Sequence, residues 1–295
     1  MVFDFAPVIF SPCLQDDLSA TLDEPLWFHA AEHVEELRTF ARGFKGTRYL
    51  HLIDIFGYSK KMSQAWSKRG YKAAQYDILL GGRSDDILSK RGFLNLFRLG
   101  LSLVVGGVII GGPPCAMNVF LSTSVHKRHL LGSKGDLKNK KVRMSNLIVQ
   151  NLGVFLELLF EEERFFFVVL EQPTSSWLFK LEWMIAMGAL LGCRKIHTWL
   201  CFFQHDLLKP THLFGNLTNL EEMARHLTAA DRKKYKARLE DRQSKRKRPR
   251  AYYKKDAQGR VHGCADLSKT ADYTASFCTA LFQIWVDAFD QIDQN

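Results

Sequence analysis

Two apolar runs in this chain end in reactive side chains. One runs Val108-Ile109-Ile110-Gly111-Gly112-Pro113-Pro114-Cys115, and the other runs from Phe165 through Leu170 into Glu171-Gln172-Pro173. A cysteine becomes a strong nucleophile once it is ionised. A carboxylate on an otherwise apolar run is costly unless it is partnered or used. The Gly-Gly-Pro-Pro turn lets backbone approach a ligand closely and projects the Cys115 thiol beyond the strand. A helix N-terminus or a nearby cation there would lower its pKa towards the thiolate. Cys193, Cys201 and Cys278 have no such context and read as small buried hydrophobes.

A second set of residues suits a nucleotide-like cofactor. The run Leu52-Ile53-Asp54-Ile55-Phe56-Gly57-Tyr58-Ser59 reads as a strand turning tightly into a helix at Gly57. Only one glycine stands where dinucleotide fingerprints carry several. Asp77 follows about 20 residues later at the end of the next strand, where an acid binds ribose hydroxyls. Asp86 suits either an adenine amino group or the N-cap of the following helix.

The elements that must position these groups alternate. Tyr49 to Phe56 reads as a strand, Lys60 to Arg69 as a helix, Ala73 to Tyr76 as a strand and Leu94 to Leu103 as a helix. The strand ending at Cys115 comes next, and then a polar, basic stretch from Asn118 to Met144 that reads as a long mobile loop. A helix over Ser145 to Phe160 leads into the strand ending at Glu171. Further on, Leu178 to Leu191 reads as a helix, Arg194 to Gln204 as a strand, Leu220 to Leu239 as helical and Thr274 to Phe289 as a closing helix. Continuous apolar runs joined by helices predict a doubly wound, Rossmann-like α/β sheet of parallel strands. Ligands of such sheets lie at the carboxyl ends of the strands.

The chain has 295 residues, 46% of them hydrophobic, and a net charge of +10. Between Arg225 and Arg260 stand fifteen Lys/Arg against four Asp/Glu, so the charge is concentrated in one segment. Such a segment is either a solvated surface or the electrostatic footprint of a polyanion. Within it, Lys245-Arg246-Lys247-Arg248-Pro249-Arg250 suits phosphates or nuclear import, so the nucleus is expected ahead of the cytoplasm. Six scattered cysteines and a full core suit a reducing compartment. No signal peptide or membrane-spanning run is evident. Cys193, His197, Cys201 and His205 recur every four residues, but on one face of a single element they would not converge. No metal is expected.

Together the ordered motifs resemble the DNA (cytosine-5) methyltransferase family. Asp54-Ile55-Phe56-Gly57 resembles its first cofactor motif, and Asp77 and Asp86 fall at its next two. Gly112-Pro113-Pro114-Cys115 resembles the nucleophile motif, and Leu170-Glu171-Gln172-Pro173 the catalytic Glu-Asn motif, with Gln172 in place of asparagine. The resemblance implies S-adenosylmethionine as cofactor, held by Asp54, Phe56, Gly57, Ser59, Asp77, Asp86 and Pro113. It implies Cys115 and Glu171 as catalytic groups and a base flipped out of its duplex. Lys127, Arg128, Lys140 and Arg143 from the loop would contact nucleic acid. So would Lys209 and Thr211 from a basic stretch, and Lys245, Arg246, Lys247 and Arg248. The resulting division is an N-terminal extension (1–46), a methyltransferase core (47–217), a basic target-recognition-like segment (218–265) and a returning C-terminal helix (266–295). DNA is the expected partner and the chain is expected to be monomeric. RNA such as tRNA, or an inactive nucleic-acid-binding protein of the same fold, are the alternatives.

Overall fold

The computed structural model describes residues 27–119, 122–129, 132–245, 253–255, 261–263 and 272–293. The apolar runs pair into one six-stranded sheet. Its strands are β1 (Leu50–Ile55), β2 (Ala73–Tyr76), β3 (Leu103–Gly111), β4 (Phe166–Pro173), β5 (Arg194–Trp199) and β6 (Pro210–Gly215), in the order β2-β1-β3-β4-β6-β5. β2, β1, β3 and β4 are parallel neighbours. β6 lies antiparallel between β4 and β5, so the sheet is mixed and not wholly parallel as the apolar runs suggest. The cause is local: β5 ends at Trp199, four residues of 3-10 helix follow, and the chain returns directly beside it. An antiparallel return needs only a short connection, whereas a parallel one needs a full crossover.

Helices cover both faces. They are α1 (Val34–Gly43), α2 (Lys61–Ser67), α3 (Ile78–Gly81), α4 (Lys90–Leu101), α5 (Thr123–His126), α6 (Lys140–Glu161), α7 (Glu182–Leu190), α8 (Ala229–Ser244) and α9 (Ala275–Asp293). Strand residues alternate between the two faces. Ile53, Ile55, Ile109, Phe166, Val168 and Leu170 pack under α1, α4, α6 and α7. Leu52, Val108, Ile110, Phe167 and Val169 pack under α2 and α9. The sheet is therefore an open, doubly wound, Rossmann-like α/β sheet. The winding reverses between β1 and β3, because α2 leads from β1 out to β2 over one face and α4 leads back from β2 past β1 to β3 over the other.

Several contacts fix these helices. Ser89 caps α4 by accepting from the Gly92 amide at 3.0 Å, and Asn139 caps α6 by accepting from the Lys141 amide at 3.0 Å. α6 thus begins at Lys140, inside the stretch expected to be loop. Buried Asn151 on α6 accepts from the Ala30 amide and donates to the Phe28 and Ile87 carbonyls, tying the start of the described chain to the core. The Trp285 indole of α9 donates to the Gly106 carbonyl at 3.0 Å, seating that helix on β3. Among the described residues, no helix is long and apolar enough to cross a membrane. A small hairpin, β7 (Tyr253–Lys255) and β8 (Val261–Gly263), lies in the basic segment.

Candidate active site

The register brings the two reactive strand ends together. Gly111 pairs with Leu170, so Gly112 and Glu171 form the next row beyond the ladder. Alternation places Gly112 and Glu171 on the same face as Asp54, the face covered by α2 and α9. Glu171 is buried, and Lys209 Nζ lies 3.5 Å from its Oε1. Lys209 directly precedes β6, in a left-handed backbone conformation (φ 33°). The antiparallel insertion of β6 beside β4 is what delivers this cation to the carboxylate. Lys209, expected among the nucleic-acid contacts, is the ion-pair partner of Glu171. The alternation of Thr211 and Leu213 against His212 and Phe214 is the sequence signal that would have revealed the strand behind it.

Gln172, next to Glu171, holds the loop that carries Cys115. Its Nε2 donates to the Pro113 carbonyl at 2.5 Å, and its Oε1 accepts from the Ser176 hydroxyl at 2.8 Å. Asn118 completes the turn after Cys115, donating to Ser145 Oγ at 3.0 Å and to the Pro114 carbonyl at 3.3 Å. Cys115 itself is partly exposed. Its thiol is pushed above the ordinary cysteine range by burial and then by the negative charge of Glu171, which together outweigh the opposing effect of Lys209. The expectation of a lowered pKa is overturned: the cation is present, but it is shared with a carboxylate that sits on the same side.

The cofactor-type residues line the neighbouring strand ends. Asp54 is buried on β1, accepts from the Ser63 amide at 3.4 Å through Oδ2, and its Oδ1 has no hydrogen-bond partner among the described residues. Burial, with Asp77 adding negative charge nearby, raises its pKa to about 7. Gly57 closes directly over that carboxylate: a Cβ there would fall 2.1 Å from Asp54 Oδ1. Phe56 reaches the turn in a left-handed conformation (φ 62°), a strained backbone for a bulky residue. Ser59 is half-buried beyond it. Asp77 Oδ1 accepts from the Leu79 amide at 2.8 Å, beside the exposed side chains of Ile78 and Leu79. Asp86 accepts from the Leu88 amide at 2.9 Å, while the cap of α4 is Ser89 and not Asp86.

The residues assigned to nucleic acid are scattered, and two of them are misassigned. Arg128 is 2% exposed, and its guanidinium donates to the Met117 and Ser133 carbonyls and to Asn146 Oδ1. It is the internal brace of the 118–139 segment and cannot reach a polymer. The same brace, with buried His126 and the short helix α5, ties together the described residues of that segment (118–119, 122–129 and 132–139). Thr211 is fully buried and donates to the Lys209 carbonyl at 3.2 Å. Lys127 is exposed and paired with Asp136 at 2.8 Å, and Lys140 lies exposed beside Trp27. Arg143 donates to the Leu137 carbonyl, and exposed Lys245 pairs with Asp241. Arg246, Lys247 and Arg248 lie outside the described residues. The four-residue Cys/His spacing does not share one element, because β5 carries only His197 of the four.

No family model matches the sequence, and no curated protein matches it. Among solved structures, the methyltransferase EhMeth of Entamoeba histolytica overlaps the chain with a TM-score of 0.36 and 12% identity. The overlap covers 62% of this chain and 56% of that one, so the chain spans little more than half of that structure's length. A superposition this loose fixes neither the family nor the reaction.

Proposed function

We propose that this chain is an S-adenosylmethionine-dependent methyltransferase that modifies carbon 5 of cytosine in DNA through Cys115. The observation that carries the reading is the meeting of Cys115 and Glu171 on adjacent strand ends beside the switch point, with Lys209 at 3.5 Å from the acid. A thiol next to a buried, cation-paired carboxylate suits addition to an electron-poor ring whose nitrogen must be held by an acid.

The residues present fit the cofactor. Asp54 offers a buried, unpartnered acceptor under the Gly57 turn. Asp77 engages Leu79 through one oxygen, which leaves the other for ribose hydroxyls. Exposed Ile78 gives a planar base an apolar surface. S-adenosylmethionine supplies an electrophilic methyl group when it is bound.

The remaining chemistry belongs to side chains of this chain. Cys115 gives its proton to the Glu171 carboxylate as its sulfur adds to carbon 6 of the base. Glu171 passes that proton to the ring nitrogen as charge develops there and accepts a hydrogen bond from the exocyclic amine, and Lys209 keeps the acid oriented. That charge makes carbon 5 nucleophilic. After carbon 5 is methylated, loss of its proton to water expels the Cys115 sulfur, which regains a proton from the ring nitrogen through Glu171. α8 and the segment bearing Lys127 would meet backbone phosphates, giving affinity more than sequence choice.

Transfer of labelled methyl to duplex DNA and to tRNA, with wild type beside Cys115→Ala, tests this. Label on cytosine carbon 5 of DNA that vanishes in the variant is the expected result, and label on tRNA alone reassigns the polymer. A second reading, an inactive nucleic-acid-binding protein, is favoured by the raised thiol pKa of Cys115. Binding of both ligands without transfer to either polymer would establish it.

A further inference from the structure

A third polar group reaches the site from the far end of the chain. Tyr273 immediately precedes α9, where the Thr274 hydroxyl bonds the Phe203 carbonyl and accepts from the Phe277 amide at 3.1 Å. Its neighbour Asp272 pairs with Lys61 of α2 at 3.4 Å. The Tyr273 ring stacks on Phe277 with centroids 5.2 Å apart. The phenol is thus held from three sides. Its hydroxyl is buried and has no hydrogen-bond partner among the described residues. A buried polar atom without a partner costs roughly 1–3 kcal/mol, so this one calls for a reason.

Gly112 defines that space. A Cβ built on it would stand 2.8 Å from the Tyr273 hydroxyl and 3.6 Å from Glu171 Oε2. Hydroxyl and carboxylate therefore look onto the same point, which is open because residue 112 has no side chain. Burial, then the charges of Glu171 and Asp54, keep the phenol un-ionised, so it has a proton to donate.

We propose that Tyr273 is a positioning residue for Glu171: its hydroxyl, unpartnered among the described residues, is the donor that closes on Glu171 Oε2 across the space in front of Gly112. Lys209 from the β6 side and Tyr273 from the α9 side then hold the acid between them, in the rotamer that meets the base. The role assigned to the acid rests on the methyl-transfer reading, whereas the contact itself does not. The C-terminal segment thereby becomes part of the site and not only a cover for the sheet.

Two measurements test this. The first places 3-fluorotyrosine at position 273 and follows its ionisation by fluorine NMR, with Glu171 intact and as Glu171→Gln. Removing the facing carboxylate should lower the midpoint by about one pH unit or more. A midpoint that Glu171→Gln leaves unchanged or, where the phenol stays protonated throughout, a fluorine chemical shift that the substitution does not move overturns the proposal.

The second measures methyl transfer by Tyr273→Phe, which keeps the ring packing. In the Glu171 background kcat should fall about tenfold or more with cofactor affinity nearly constant, and in Glu171→Gln the same substitution should cost under about twofold. Equal losses in both backgrounds overturn the proposal. A shifted fluorine midpoint in a protein that transfers no methyl supports the contact and overturns only the methyl-transfer reading.

Discussion

Asp54 shows what a strand interior does to an acid. It lies 1% exposed on β1, one carboxylate oxygen without a partner, and burial followed by the charge of Asp77 raises its pKa from 3.8 to about 7. A folded-state pKa above the unfolded value means that folding takes up a proton between the two. The stability associated with the neutral acid is fully present below about pH 4 and is lost as pH rises through about 7. Asp54→Asn should therefore leave the urea midpoint unchanged near pH 4 and raise it at pH 8. The gain should be about 1.4 kcal/mol for each pH unit by which the folded acid's pKa exceeds the unfolded one. Coincident midpoints at pH 8 would show that folding does not raise the pKa of Asp54. Glu157, raised to about 7 by burial and then by Glu161, keeps part of the pH dependence in the variant. At this scale Cys115 and Glu171 were legible in the sequence, because a thiol and a carboxylate that end apolar runs stand out against their neighbours. The thiol's pKa was not. It depends on Lys209 and Glu171 acting at once, and their separation exists only after folding.

Among the elements, β6 decides the site. It turns the sheet mixed and carries Lys209 to Glu171, and it does so by lying unusually close to β4 at Gly215. A Cβ at Gly215 would fall 2.0 Å from the Val168 carbonyl oxygen, which is backbone and cannot step aside. Gly215→Ala should destabilise the fold by about 2–3 kcal/mol in urea unfolding, the upper range for overpacking. A loss below about 0.5 kcal/mol would mean the two strands can separate freely there. The apolar strands β1, β3 and β4 and their helices were readable from their continuous runs. The 118–139 segment was not, because its described residues are tied together by the buried Arg128 brace and polar composition alone reads as loop. The helical pattern read over Leu220 to Leu239 became a 3-10 turn (Leu220–Met223) and α8 (Ala229–Ser244), with residues 224–228 between them.

For the whole molecule, charge is distributed as chemistry is. The strand ends that carry Cys115 and Glu171 lie beside β6 and α9, while α8 presents exposed Arg232, Lys233, Lys234, Lys236 and Arg238 to solvent. If α8 grips a polyanion, Lys233→Glu combined with Lys234→Glu should weaken DNA binding at every sequence tested. The slope of log affinity against log salt should also become shallower by about 2, close to one for each phosphate that is no longer neutralised. An unchanged slope would remove α8 from the interface.

The sequence by itself determined the doubly wound sheet, its helices and the two reactive strand ends, because hydrophobic periodicity and strand-ending prolines are local properties of the chain. Only the tertiary structure decided which groups share a space. It placed Lys209 against Glu171, turned Arg128 and Thr211 inward, and set the Tyr273 hydroxyl over Gly112. Lys209 meets an acid 38 positions before it, and Tyr273 meets a glycine more than 150 positions before it. Both meetings depend on strand register and on which face of the sheet each helix covers. Neither is written in any one stretch of residues.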